Sequence, residues 1–386
     1  MLKKAQALQP EMISWRRDFH MNPELGFKEE RTATKVAEIL ESFGYRVQRG
    51  IGKTGVVAEI GSGKPIVAIR ADMDALPINE ANQVPYQSKN PGIMHACGHD
   101  AHTAMALGTA KLLSQESFPG TVRFLFQPAE EVEDEEGVSG APRMIEDGAI
   151  NDVDFVLALH VASSISTGEV EISTEFASAG VDTFYAKIIG KGGHGSTPHK
   201  VIDPIFISGY IILAIHGIVS RQLHPFDPAV ISIGSIQGGM ADNVIPEEVN
   251  MSGTIRFLDQ SVQQKIHTEI KKAMEISRAL GGDYELKIQV GYPPMHNHQG
   301  TVDLLKKVAG DLLGDEKIVP PEPEMGAEDF GFFLQKAPGA MFMLGCKIED
   351  DVRRHHDPRF DIDENCMPIG VAIFAEATLR IMNQHV

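Results

Sequence analysis

Apolar residues recur at helical spacing over 31–43, where Ala33, Val36, Ala37, Ile39 and Leu40 share one face. Gly44 follows and suits the helix C-terminus. An earlier helical pattern covers 3–19. Short apolar runs at 56–60 and 65–70 predict strands, and Gly61-Ser62-Gly63-Lys64 between them reads as a hairpin turn. A helix is predicted over 101–115, then strands over 121–127 and 155–160. Strands interleaved with helices predict an α/β sheet with buried strands.

Near Gly180 the rhythm changes. A strand over 183–189 is followed by a helix over 201–223, strands over 229–236 and 248–257, a helix over 261–280 and a strand over 284–290. This β-α-β-β-α-β order is that of the split βαβ, or ferredoxin-like, sandwich. After Pro293-Pro294 the α/β pattern resumes, with a helix over 301–313, a strand over 341–344 and a final helix over 368–382. The layout is one discontinuous domain, 1–179 and 293–386, interrupted by a compact insert, 180–292.

Composition narrows the function classes. The chain has 386 residues, too many for one average core, and 42% of them are hydrophobic, as in ordinary globular proteins. A formal net charge of -18 argues against a nucleic-acid partner, which needs surplus Lys and Arg. Cys97, Cys346 and Cys366 are too few for a disulfide framework and point to a reducing compartment. Met1-Leu2-Lys3-Lys4-Ala5-Gln6 is not the start of a signal peptide. The longest apolar run, 205–219, is interrupted by His216 and falls short of the ~20 residues of a membrane span. It reads as a buried helix, and the protein as cytoplasmic with no membrane partner.

Candidate chemistry gathers at predicted strand ends. In His95-Ala96-Cys97-Gly98-His99-Asp100, Cys97 and His99 are two apart and share a face if extended. A thiolate with an imidazole suits zinc and similar ions. The strand ending Phe124-Leu125-Phe126-Gln127 leads into Glu130-Glu131. One of these carboxylates can bind metal while the other, facing a water, takes its proton. His160 closes a strand, and His355-His356 lies in a late loop. Asp72 and Asp74 follow the strand at 65–70, where α/β folds place sites and where a histidine ligand finds its second partner. Gly190-Lys191-Gly192-Gly193-His194-Gly195 lacks the spacing of a dinucleotide fingerprint.

These motifs, in order, resemble the aminoacylase and amidohydrolase branch of the M20 metallopeptidase family. That branch includes hippurate hydrolases, N-acyl-amino-acid deacylases, N-acetyl-diaminopimelate deacetylases and plant auxin-conjugate hydrolases. The stretch 15–26, Trp15-Arg16-Arg17-Asp18-Phe19-His20 onward, looks like its N-terminal signature. Residues 71–77, 97–103, 127–131, 192–199, 243–247, 326–330 and 356–360 follow. The resemblance implies a two-metal aminopeptidase-like catalytic domain carrying a lid or dimerisation domain, hence a homodimer or higher homo-oligomer.

It also implies roles. Cys97, His99, Glu131, His160 and His356 resemble the ligands of two divalent ions (Zn, Mn, Co or Ni), with Cys97 bridging. His356 is preferred to His355 because His356-Asp357-Pro358-Arg359-Phe360 fits the pattern H-x-P-x-F. Glu130 looks like the general base and Asp74 like the carboxylate that orients a ligand. His194 resembles a histidine that steadies the oxyanion, often in the partner subunit's site. Asn243 and Arg256 resemble residues holding the substrate carboxylate, a task suited to a guanidinium fork. The implied reaction is metal-dependent hydrolysis of N-acyl amino acids, N-acetyl or N-aroyl. The alternatives are a dipeptidase or carboxypeptidase with the same machinery, and an inactive binder of amino-acid derivatives, which the complete ligand-and-base set disfavours. Two features depart from the family: the acidic stretch 132–137, and Val161-Ala162-Ser163-Ser164 after His160.

Overall fold

The computed structural model describes residues 1–173, 177–322, 324–348 and 353–384. The chain forms two compact units. One comprises Met1–Ala177, His296–Glu322 and Asp329–Val386; the other comprises Ser178–Met295 and Pro323–Glu328.

In chain order the first unit opens with α1 (Leu2–Ala7), α2 (Gln9–Met21), α3 (Glu30–Ser42), β1 (Arg46–Ile51), β2 (Gly55–Ser62) and β3 (Ile66–Asp72). It continues with α4 (His99–Leu113), β4 (Gly120–Gln127), α5 (Gly140–Glu146), β5 (Phe155–Ser166) and β6 (Val170–Glu171). The second unit holds β7 (Gly180–Ile189), β8 (Gly193–His194), α6 (Pro204–Arg221), β9 (Ala229–Gln237), β10 (Val244–Ile245), β11 (Glu248–Phe257), α7 (Gln260–Met274), α8 (Ile276–Ala279) and β12 (Asp283–Val290). The first unit resumes with α9 (Gln299–Leu313), β13 (Ile318–Val319), α10 (Gly331–Leu334), β14 (Gly339–Lys347) and α11 (Met367–Gln384).

The first unit is built on an eight-stranded sheet in the order β1-β2-β4-β3-β5-β14-β6-β13. Its central strands β4, β3, β5 and β14 run parallel. Val67, Ile69, Phe124, Phe126, Leu157 and Phe342 bury their side chains against α4, α9 and α11. Both faces of parallel strands are covered, which is why these strands read as continuous apolar runs.

The predicted hairpin over 56–70 does not form. β2 and β3 both pair with β4, which lies between them. Of the glycines that suggested a turn, Gly61 (φ +88) serves a close approach: a Cβ there would stand 2.3 Å from the Gly120 carbonyl oxygen at the start of β4. Helix 3–19 is broken at Leu8, where α2 begins with Pro10 in its first turn. Residues 261–280 likewise divide into α7 and α8. His160 does not close its strand, because β5 runs on to Ser166, paired with β14. The edge strand β1, RVQRGI, carries too few apolar residues to announce itself.

Ion pairs are also buried. Arg16 is wholly enclosed, with Nε 2.9 Å from Asp100, Nη2 2.6 Å from Asp361 and Nη1 3.0 Å from Glu364. His20 Nδ1 lies 2.8 Å from the same Asp100 oxygen. Removing one partner from such a set costs about 3–5 kcal/mol, since it leaves a buried charge unmatched. This ties α2 to the first turn of α4.

The second unit is a four-stranded antiparallel sheet, β12-β7-β11-β9. Phe184, Ala186 and Ile188 of β7 pack with Ile207, Ile211, Ile215 and Ile218 of α6 and with Ile266 and Ile270 of α7. Strand-helix-strand-strand-helix-strand is the ferredoxin-like order. Asp203 caps α6 by accepting from the backbone of Ile205 and Phe206. The reading of 205–219 as a buried helix holds for only one face of α6, because Ile205, Phe206, Tyr210 and Leu213 are exposed.

Candidate metal centre and active site

The carboxyl ends of parallel strands collect loops, and sites form there. β3 delivers Asp72 and the following Asp74, and β4 delivers Gln127 and then Glu130 and Glu131. β5 carries His160 beside them. Cys97 and His99 flank Gly98 at the start of α4. Gly98 has φ +93, and a Cβ there would stand 2.4 Å from Val161 Cγ2, so only glycine lets the two ligand candidates turn together against β5. His356 arrives from the late loop, with its N–H donated to the Ala96 carbonyl at 2.8 Å.

The donor atoms converge. Those of Cys97, His99 and His160 lie within 4.8 Å of one another, as do those of Cys97, Glu131 and His356, and those of His99, Glu130 and Glu131. Cys97 thus belongs to two of these sets. Cys97 Sγ is 3.4 Å from His160 Nε2. His356 Nε2 is 2.9 Å from Glu131 Oε1, a close approach without hydrogen-bond alignment. His355 turns its Nδ1 toward Cys97 at 3.8 Å, and burial drives its pKa down to about 2 with help from His160.

Partners orient the imidazoles. His99 Nδ1 donates to the Asp74 carbonyl at 2.9 Å and lies 3.2 Å from Asp74 Oδ1. Its Nε2 is buried without a hydrogen-bond partner. His160 Nδ1 donates to the Val161 carbonyl at 2.8 Å. In both rings Nε2 is the nitrogen turned toward the cluster, the orientation of a metal-bound histidine. Asp74 Oδ2 also accepts from the Glu131 N–H at 3.0 Å.

Charge points the same way. Burial opposes a proton on His99, but Asp72 and Asp74 outweigh it and raise its pKa to about 10. Burial first, then Glu131 and Glu130, push the Cys97 thiol well above its ordinary value. Burial would also raise Glu131, yet His356 and His99 hold it below the usual carboxylate range. The enclosure therefore has surplus negative charge and selects a cation. Soft sulfur, nitrogen and oxygen donors, one buried and unpartnered, fit a transition metal.

Behind this cluster lie residues that sequence reading missed. His102 Nδ1 donates to Asp72 Oδ1 at 2.6 Å, while its Nε2 accepts the Val161 N–H at 2.9 Å. Burial outweighs Asp72 and keeps its pKa near 4, so the ring stays neutral. The i, i+3 spacing from His99 on a helix was the available signal. Buried Arg70 joins Gln127 (2.8 Å) and Asp329 (3.1 Å), and Asp329 accepts from Gln127 and from Ser139 Oγ at 2.6 Å. Asp329 stood inside the quoted 326–330 motif with no role assigned.

His194, Asn243 and Arg256 belong to the second unit. β8 pairs with β10, setting His194 opposite Val244, and Gly195 N–H donates to the Asn243 carbonyl at 2.8 Å. His194 is exposed, and its Nδ1 lies 2.8 Å from Ser196 Oγ. Arg256 is not brought to them: it lies eight positions along β11 from Glu248, roughly 26 Å at ~3.3 Å per strand residue. It is half-buried, with Nε donating to Thr254 Oγ1 at 3.1 Å, and burial lowers its pKa.

A sheet with metal donors at the carboxyl ends of its parallel strands defines a metallohydrolase of the two-unit type. The description "Peptidase family M20/M25/M40" matches residues 68–380, and the chain belongs to that family. It is 42% identical over 382 residues to thermostable carboxypeptidase 2 of Saccharolobus solfataricus, covering 97% of this chain and 96% of that one. It is 37% identical over 383 residues to the N-acetyl-L-cysteine deacetylase of Bacillus subtilis, covering 98% and 90%. Among solved structures it resembles the Bacillus subtilis YXEP protein, a dinuclear metal binding peptidase from the M20 family. The TM-score is 0.84 and the identity 34%, with 98% of this chain and 99% of that one covered. The chain is accordingly an enzyme that hydrolyses amide bonds in a metal-dependent way.

Proposed function

We propose that this chain hydrolyses N-acyl amino acids, with two divalent ions held by Cys97, His99, Glu131, His160 and His356. The observation that carries the reading is the overlap of the donor sets at Cys97 beside the buried, unpartnered His99 Nε2. When bound, the metals act as Lewis acids on the amide carbonyl and make a water acidic. Glu130, whose Oε2 is 3.9 Å from His99 Nε2, takes the attacking water's proton and returns it to the leaving amine. Asp74 orients His99 and the Glu131 backbone. The exposed His194 steadies the oxyanion, while Asn243 and Arg256 hold the substrate carboxylate. A thiolate ligand leans away from magnesium and calcium and leaves zinc, manganese, cobalt and nickel open.

On this reading the first unit is catalytic, and the second, inserted at 180–292, is the lid or dimerisation domain. One small substrate cannot touch Arg256 and the His194–Asn243 pair of a single second unit, given the length of β11 between them. The pair and the arginine would then serve different copies of the site in a homodimer. The exposed apolar stripe on α6 supports such a dimer, and light scattering that returns a monomer mass would sink it. Three buried free cysteines fit a reducing cytoplasm, which cell fractionation checks.

The deciding experiment is a panel of N-acetyl and N-aroyl amino acids against dipeptides and longer peptides, each with the four metals. Preference for N-acyl amino acids is expected. Preference for unblocked peptides would favour the second reading, a carboxypeptidase, to which the name of the Saccharolobus relative points.

A further inference from the structure

The N-terminal signature and Glu29 just after it have no part in the chemistry described so far, yet they touch the neighbours of three site residues. Arg16 and His20 hold Asp100, next to His99. The Glu24 carbonyl accepts the N–H of Ala75, next to Asp74, at 2.8 Å. Glu29 accepts the N–H of Ala129, next to Glu130, at 2.8 Å.

The third contact bears on the reaction. Ala129 has φ +46, a left-handed conformation unusual for any residue but glycine. Such a conformation costs about 1–3 kcal/mol and persists only where its surroundings over-determine it. Here both sides of the residue are held: Glu29 Oε1 takes its N–H, and Gly140 N–H donates to its carbonyl at 2.9 Å. Gly140 has no space for a side chain, since a Cβ would lie 1.6 Å from the Pro128 oxygen. Glu29 is itself fixed. It is fully buried, and its Oε2 accepts from Thr54 Oγ1 at 2.6 Å. The carboxylate of Glu24 accepts from the N–H groups of Arg31 and Thr32, which anchors the first turn of α3 just after Glu29.

We infer that Glu29 is a positioning residue for Glu130: by holding the left-handed Ala129 peptide it sets the direction in which the next side chain leaves the backbone. The inference rests on Glu130 being the base. Burial first, then Asp74, raise the Glu29 carboxyl to about 7, so a neutral isostere is a fair substitute. In Glu29→Gln the amide oxygen can accept from Ala129, and the Thr54 hydroxyl can turn to accept from the amide NH2.

The test compares Glu29→Ala, Glu29→Asp and Glu29→Gln in the full metal-loaded chain, on whichever N-acyl amino acid the panel shows to be turned over fastest. Glu29→Ala and Glu29→Asp should lower kcat by about 10²-fold, the penalty of a roughly 1 Å misplacement. KM and metal content should stay near those of the parent, and Glu29→Gln should restore most of kcat. In the metal-free protein, amide exchange of the peptide containing Ala129 should quicken in Glu29→Ala and not in Glu29→Gln. Unchanged kcat in Glu29→Asp, a Glu29→Gln as poor as the alanine variant, or metal lost in proportion to kcat would each overturn the assignment. Should Glu29→Ala not fold, Thr54→Val removes only the second anchor and should lower kcat less, again at constant KM; an unchanged kcat there also counts against it. Glu130→Ala separates the two ideas: if it stays active, the base is misassigned, whereas an inactive Glu130→Ala beside an active Glu29→Ala sinks Glu29 alone.

Discussion

Glu130→Ala should yield a folded, metal-loaded protein whose kcat is lower by about 10²–10⁴, the usual contribution of a positioned general base. Glu130 is buried, at 6% relative exposure, and its carboxylate faces the donor cluster. Cys97, His99, Glu131, His160 and His356 remain in the variant, so metal measured by mass spectrometry should stay near two ions per chain. Glu131→Ala serves as the contrast, because it should lose metal and activity together. Substantial turnover by Glu130→Ala would remove the base from Glu130, and an equal loss of metal in both variants would make Glu130 a ligand.

Cys97→Ser should be the most damaging ligand substitution. Cys97 alone belongs to both the set with His99 and His160 and the set with Glu131 and His356. A serine hydroxyl is far less acidic than a thiol and a poorer ligand for borderline metals, so both positions weaken. Metal content should fall below two per chain and activity with it; two ions retained at full occupancy would refute a shared thiolate. Chelation of the parent protein should also lower Tm. Without cations, Asp72, Asp74, Glu130 and Glu131 share one buried space, offset by Arg70 beside Asp72, by His356 beside Glu131 and by a proton on His99. Metal at a thousandfold above its Kd stabilises by about 4 kcal/mol, which its removal withdraws. An unchanged Tm after complete metal removal would mean the ions contribute little to folding.

Much of the site was legible because its chemistry is local to short motifs. Cys97 and His99 are two positions apart, and Glu130 and Glu131 are adjacent, so residue type and spacing announce them. Which of the two glutamates is the ligand was not legible locally. In the fold the left-handed Ala129 precedes the pair, Asp74 accepts from the Glu131 N–H, and both carboxylates reach the donor cluster, so the comparison of Glu130→Ala with Glu131→Ala decides between them. His355 and His356 were ambiguous for the same reason. The φ of +64 at His356 sends its ring to Glu131, while His355 packs against His160. Glu29, His102 and Asp329 escaped because their partners, Ala129, Val161 and Arg70, are remote in sequence.

The sequence by itself determined the element types, the α/β layout with a ferredoxin-like insert, and the donors on offer, because periodicity, side-chain class and motif order are properties of the chain read in line. The hairpin at Gly61 shows where that reading stops: strand pairing is settled across the whole sheet, and β4, from a later segment, comes between β2 and β3. Only the tertiary structure decided that five donors from α4, β5 and three loops share one enclosure. Only it decided that Arg256 stands apart from His194 and Asn243. The cause is common to all of these: convergence of remote residues is set by sheet order and close packing, neither of which is written in any single stretch of chain.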